Sequence, residues 1–259
     1  MSEILGVLVG NLLPFILVWI RFLGLFLMAP VFNSRFIPPL AKIGLAFLVA
    51  VMVFPLVDFD QNWVTLDARY LVAVFSESLT GFVLGLIVSF VFACIQIAGE
   101  IVDFEMGFSY VNVVDPLSNL GASVVGQFYL MLATLYYLGI NGHHLALRAL
   151  VRSFRFLPPG GFLLGEHLLT PFLDLVQGVM VMALQIAAPV MAALFLTNLT
   201  LAIISRAIPQ MNVFVVGLPL NLGIGIWVIL SALPYFFPLL GRVTEFFVGT
   251  LLRFLLPAG

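Results

Sequence analysis

Residues 175–205 read LVQGVMVMALQIAAPVMAALFLTNLTLAIIS, a stretch without a single formal charge. A helix crosses the roughly 30 Å of bilayer hydrocarbon with about 20 mostly apolar residues. This run is longer than one perpendicular crossing needs, so it must tilt or continue beyond the bilayer inside an assembly. Pro189 within it permits a kink. The next run lies between Arg206 and Arg242, is punctuated by Pro209, Pro219, Pro234 and Pro238, and is again overlong.

Earlier in the chain, the intervals between charges mark four more runs. The first is uncharged from Ile4 to Ile20, is interrupted by Arg21 and resumes to Phe32. The second lies between Lys42 and Asp58 and ends at Phe54-Pro55; the third runs from about Leu71 to Ala98 with Glu77 near its start. The fourth falls between Asp115 and Arg148, most clearly over Val124 to Ile140. The expectation is an all-α integral membrane protein with about six long hydrophobic helices. A transmembrane barrel would instead show short segments of alternating polarity. Met1-Ser2-Glu3 carries no positive charge, so the first run reads as an uncleaved helix rather than a secretory signal.

Composition supports this class. Of 259 residues 63% are hydrophobic, and the 10 basic and 12 acidic residues make a charged fraction of 8%, against roughly 25% in an ordinary soluble domain. So few charges cannot cover a water-soluble surface of this size, and disorder would need the opposite balance. A net charge of −2 with one lysine, Lys42, speaks against a nucleic-acid binder. One cysteine, Cys94, excludes an internal disulfide and a cysteine metal cage.

The linkers carry prolines and glycines that stop helices: Pro38-Pro39, Asp115-Pro116, Pro158-Pro159-Gly160-Gly161 and Pro209. With a cytoplasmic N-terminus, Arg69, Arg148, Arg152, Arg155, Arg242 and Arg253 fall on the cytoplasmic side. Arg35, Lys42 and Arg206 fall opposite, and Arg21 is intrahelical, a weak bias for that orientation.

Few residues carry recognisable chemistry. The lone lysine lies between Ala41 and Ile43, so no phosphate-binding loop is present. The histidines, His143, His144 and His167, lack the spacing of a zinc protease, and Asn141-Gly142-His143-His144 reads as a polar helix terminus. Glu100, Asp103 and Glu105 directly follow a long apolar run, and the first two share a helix face. They read either as the wall of a polar path or as an interfacial loop in ordinary solvent. Residues 108–119 fit neither a clean helix nor a solvated linker, and read as a re-entrant, pore-lining loop or as an amphipathic surface segment. Arg21 and Glu77 are candidates for buried ions, and pairing with each other or with a partner subunit would offset their desolvation; for Arg21, snorkelling is the alternative. Gly6-x-x-x-Gly10 and Gly81-x-x-x-Gly85 would let helices approach closely.

The block Ser205-Arg206-Ala207-Ile208-Pro209-Gln210-Met211-Asn212-Val213-Phe214-Val215-Val216-Gly217-Leu218-Pro219 closely resembles the FliR family of flagellar export proteins, which includes virulence-secretion counterparts. Within it Arg206, Pro209, Gln210, Asn212 and Phe214 carry the motif. Leu25-Phe26-Leu27-Met28-Ala29-Pro30-Val31-Phe32, the stretch from Gly99-Glu100 to Asp115-Pro116, and Asn141-Gly142-His143-His144 match in the same order across essentially the whole chain.

That resemblance implies a non-enzymatic core subunit of the type III export gate, in the bacterial inner membrane at the flagellar basal body, with no cofactor or metal. One such copy would assemble with several copies of FliP and FliQ, beside FlhB- and FlhA-type membrane proteins, into a gated channel for unfolded export substrates. The chain would comprise a FliP-like portion, residues 1–165, and a FliQ-like helical hairpin, residues 166–259, packed as tilted hairpins. A plug-like loop would map to about residues 106–117. Met106, Phe108, Tyr110, Val111, Val113 and Leu117 would line or close the path, with Phe108 and Tyr110 as its bulk. Glu77, Glu100, Asp103 and Glu105 would be channel-wall or ion-pair carboxylates. Energy would come from a proton gradient and a partner ATPase.

Two other classes compete with this reading. A proton-coupled secondary transporter would use Glu100, Asp103 or Glu77 near the midplane and would show an internal repeat, which the sequence lacks. An intramembrane enzyme would need a convergent nucleophile and base or a metal set, and none stands out.

Overall fold

The computed structural model describes residues 2–34, 37–57, 67–108, 123–161 and 169–255, with side chains described over 12–34, 37–57, 67–108, 123–161 and 170–250. Among these residues the chain forms α1 (Ser2–Met28), α2 (Pro39–Val53), α3 (Ala68–Met106), α4 (Val124–Gly139), α5 (Gly142–Phe156), α6 (Leu169–Ala207) and α7 (Val213–Leu255). A single 3-10 turn, Phe54–Leu56, follows α2, and no strand occurs among the described residues. The protein is an all-α membrane protein. Among the described residues four helices are long and apolar enough to cross a membrane, or five if α4 and α5 count as one bent span, and α1 is apolar as well.

Local chemistry explains the boundaries. Pro39 opens α2, where its missing N–H costs nothing. The Asp67 carboxylate accepts the Tyr70 amide at 3.1 Å, Ser123 Oγ accepts the Gly126 amide at 2.8 Å, and Asn212 Oδ1 accepts the Phe214 amide at 3.1 Å. These side chains satisfy amides that a helix start leaves unpaired. At the other end of α3, Gly107 takes φ 91°, and the Phe108 and Gly107 amides bond back to the carbonyls of Asp103 and Phe104. This is a Schellman terminus, which needs a residue free to adopt left-handed φ.

Two features depart from the run-by-run expectation. The fourth run divides at Asn141, whose φ of 56° separates α4 from α5. In the last run, Pro219, Pro234 and Pro238 all lie inside α7, as Pro14 lies inside α1 and Pro189 inside α6. Interior prolines are tolerated in apolar surroundings when neighbouring groups take up the freed carbonyls. With 39 and 43 residues at about 1.5 Å rise each, α6 and α7 are about twice the length of a perpendicular hydrocarbon crossing.

The chain divides into two compact units. One holds residues 1–90, 140–175 and 246–259; the other holds 91–139 and 176–245. In the first, α1 and α3 meet backbone to backbone. A Cβ on Gly81 would fall on the Arg21 carbonyl, one on Gly24 would lie 2.8 Å from the Phe82 amide nitrogen, and one on Gly85 would lie 2.7 Å from Met28 Cβ. The Gly81/Gly85 spacing is thus used for close approach, with Gly24 as its counterpart on α1. Tyr70 Oη donates to the Leu13 carbonyl at 3.0 Å, within a cluster with Leu17 and Ala73. Phe47 of α2 meets Phe15 and Trp19 edge-on at 5.3 and 5.8 Å. In α5, Ala146, Ala149, Leu150, Ser153 and Phe154 are buried, while Arg148, Arg152 and Arg155 are exposed, which is the separation expected of a 3.6-residue period.

In the second unit, Gly99 of α3 lies directly against Gly126 of α4, and Met106 packs on Gly225, where a Cβ would come within 2.7 Å of its Cγ. Tyr129 and Phe236 stack at 4.9 Å, and Phe92 meets Tyr137 at 5.3 Å.

Candidate functional site

Arg21 and Glu77 interrupt the apolar runs of α1 and α3, and the structure pairs them. Both are fully buried. Arg21 Nε donates to Glu77 Oε2 at 2.5 Å, and a second guanidinium nitrogen donates to Oε1 at 2.9 Å, the two-pronged geometry for which guanidinium and carboxylate are matched. The guanidinium also donates to Ser153 Oγ at 2.9 Å and to the Leu157 carbonyl at 3.0 Å, and it lies 4.0 Å above the Phe154 ring. Glu77 Oε1 accepts one more bond, from the Gly160 amide at 2.8 Å. Two charges are affordable at this depth because nearly every donor and acceptor has a partner. The sequence marked the two charges but not Ser153, Phe154, the Leu157 carbonyl or the Gly160 amide. The amphipathic period of α5 and the Pro-Pro-Gly-Gly turn were the available signals.

The carboxylates after the third apolar run lie on α3 itself and have different surroundings. Glu100 is exposed and accepts a bond from Gln96 Nε2 at 3.1 Å, and Glu105 is half-buried. Asp103 is 4% exposed, and its Oδ1 accepts the Val125 amide at 3.0 Å, so it caps the first turn of α4. Asp103→Ala leaves that buried amide without an acceptor, at about 1–3 kcal/mol, whereas Asp103→Asn keeps an acceptor oxygen. Unfolding in detergent should therefore separate the two, with the asparagine variant near wild type. An equal loss in both would show that charge, not the acceptor, matters there.

Of the residues expected to line a path, Met106 is fully buried against Gly225 and Phe108 is half-buried beyond the α3 cap. Tyr110, Val111, Val113 and Leu117 lie outside the described residues, as does His167. Arg206, Pro209, Gln210, Asn212 and Phe214 form the exposed turn between α6 and α7, in which Asn212 is the helix cap. His143 and His144 stack at 4.2 Å in the first turn of α5. Among the described residues, no three His, Cys, Asp or Glu side chains converge as metal ligands would.

The long helices also present a large apolar surface. On α6, Phe195, Leu196 and Ile203 are exposed; on α7, Phe214, Val215, Trp227 and Leu230 are, with Trp227 at 70%. Amid this surface Asn221 Nδ2 donates to Asn198 Oδ1 at 2.9 Å, a bond that ties α6 to α7.

The sequence model for bacterial export proteins, family 1, matches residues 12–247. The chain belongs to this family. It is 35% identical to the flagellar biosynthetic protein FliR of Bacillus subtilis over 95% of both chains. It is 32% identical to the FliR of Escherichia coli K12 over 85% of this chain and 84% of that one. It is also 28% identical to the surface presentation of antigens protein SpaR of Salmonella typhimurium, over 85% and 81%. The expected membership of the FliR family, made on the block from Ser205 to Pro219, is borne out. The buried pair, the Schellman terminus of α3 and the exposed 206–214 turn are features of a FliR-family chain.

Proposed function

We propose that this chain is a non-enzymatic core subunit of the flagellar type III protein export gate in the bacterial inner membrane, at the flagellar basal body. One copy assembles with several copies of FliP and FliQ, alongside FlhB- and FlhA-type proteins, into a gated channel for unfolded export substrates. Residues 1–165 form a FliP-like portion and residues 166–259 a FliQ-like hairpin. The observation that carries this reading is the match to a FliR over nearly the full length of both chains. The exposed faces of α6 and α7 support it: Asn198 and Thr200 stand among exposed Phe195, Leu196 and Leu199. Asn198 accepts a bond from Asn221 and Thr200 donates one to the Leu196 carbonyl; hydrocarbon can meet none of the remaining capacity of an amide or a hydroxyl, whereas a neighbouring helix can.

The chain contributes a conduit, and energy comes from other components. The half-buried Phe108, beyond the α3 cap, supplies apolar bulk that keeps the closed path dry, while Met106 packs behind it on Gly225. Co-expression of the tagged chain with the neighbouring membrane genes, followed by native mass spectrometry in detergent, tests the proposal. One copy bound to multiple copies of two other small membrane proteins is the expected result. A lone chain or a homo-oligomer, with those partners expressed, would overturn it.

A further inference from the structure

We infer that Arg21 and Glu77 are positioning residues: their ion pair places the Leu157–Gly161 turn rather than adding net stability. For its consequence, an assembly that needs this turn in place, the inference rests on the export-gate reading. The turn engages both ions. Its Leu157 carbonyl accepts from Arg21 at 3.0 Å, and its Gly160 amide donates to Glu77 at 2.8 Å. Both contacts are to backbone, so they fix the path of the chain whatever side chains the turn carries. Gly160 meets Glu77 with φ at 81°, and a Cβ on Gly161 would lie 2.9 Å from the Pro158 carbonyl oxygen, so the turn has little freedom of its own. The first residues of α6 belong to the same compact unit, where Phe172 lies 6.4 Å from Phe90 of α3.

Replacing a complete buried ion pair with apolar residues of similar size is often neutral or stabilising in folded proteins. Hydrocarbon-compatible side chains at both positions would therefore satisfy stability but offer the turn neither a donor nor an acceptor. This separates positioning from stabilisation, which single substitutions cannot do.

The test compares wild type, the double variant Arg21→Met/Glu77→Leu, and Gly160→Pro, each as the full chain co-expressed with its partners. Gly160→Pro leaves both ions in place but removes the amide and forbids the left-handed φ. The double variant is expected to accumulate in the membrane and to unfold at a clearly higher temperature than the single variant Glu77→Ala, because no buried charge is left unpaired. It should nevertheless lose at least tenfold in recovered hetero-oligomer and lose protection of the Gly160 amide. Gly160→Pro should show the same loss of assembly. Hydrogen exchange on the purified chain alone gives a readout that does not depend on partners. If wild type itself recruits no partner, the export-gate reading fails, while protection of the Gly160 amide still decides the positioning role. Unchanged protection and assembly in the double variant would overturn the inference; so would normal assembly of Gly160→Pro, which also decides the matter if the double variant fails to fold.

Discussion

Glu77→Ala should leave little folded protein. The substitution strands the fully buried Arg21 guanidinium and takes the acceptor from the Gly160 amide. Removing one partner of a buried pair costs about 3–5 kcal/mol, because the remaining charge is neither solvated nor paired. Against a typical net stability of about 5–15 kcal/mol, that is enough to lower the steady-state amount in membranes sharply and to depress the unfolding temperature in detergent. The measurement is the membrane level of the tagged chain, with its thermal unfolding after solubilisation. Wild-type levels and unfolding for Glu77→Ala would show that water reaches the pair.

Gly81→Leu should be almost as damaging, for a steric reason. A Cβ at Gly81 falls on the Arg21 carbonyl, so α1 has to move away from α3 before any further side-chain atom is placed. Overpacking costs about 1–3 kcal/mol where side chains can shift; here the obstruction is backbone, so the upper end of that range is expected. The movement would also pull Arg21 from Glu77, so the two effects reinforce each other. Gly44→Leu is the matched control, because nothing lies within 4 Å of a Cβ there and the position is exposed on α2. Its unfolding temperature should match or exceed that of wild type, since leucine favours a helix over glycine. If both variants lose stability equally, the close approach of α1 and α3 is not what places a glycine at position 81.

The two variants also show which parts of the site were legible in the sequence. Arg21 and Glu77 stood out because a charge inside an apolar run is costly enough to need an explanation. Their partners did not stand out: Ser153 is 132 positions from Arg21, and Gly160 is 83 from Glu77. Nothing in the spacing of an amphipathic helix says which distant charge its one buried serine will meet. The carboxylates after the third run show the same boundary. Glu100 and Asp103 are three residues apart, as one helix face requires, yet Glu100 is exposed and Asp103 is buried. The difference comes from α4, whose Val125 amide Asp103 caps.

The sequence by itself determined the membrane class, the position of nearly every apolar helix and the kinship with FliR. Each follows from local hydropathy or from an ordered set of short motifs, and neither depends on what lies across the fold. Only the tertiary structure decided that α3 runs on to Met106 and ends in a Schellman turn, that the fourth run breaks at Asn141, and that α7 continues through three prolines. It also decided that the two charges inside the apolar runs pair with each other and that each bonds to the backbone of the Leu157–Gly161 turn. In an apolar medium, backbone and charged groups must find partners inside the protein. Local periodicity shows that such partners are needed, but the partners themselves come from residues far away in the chain.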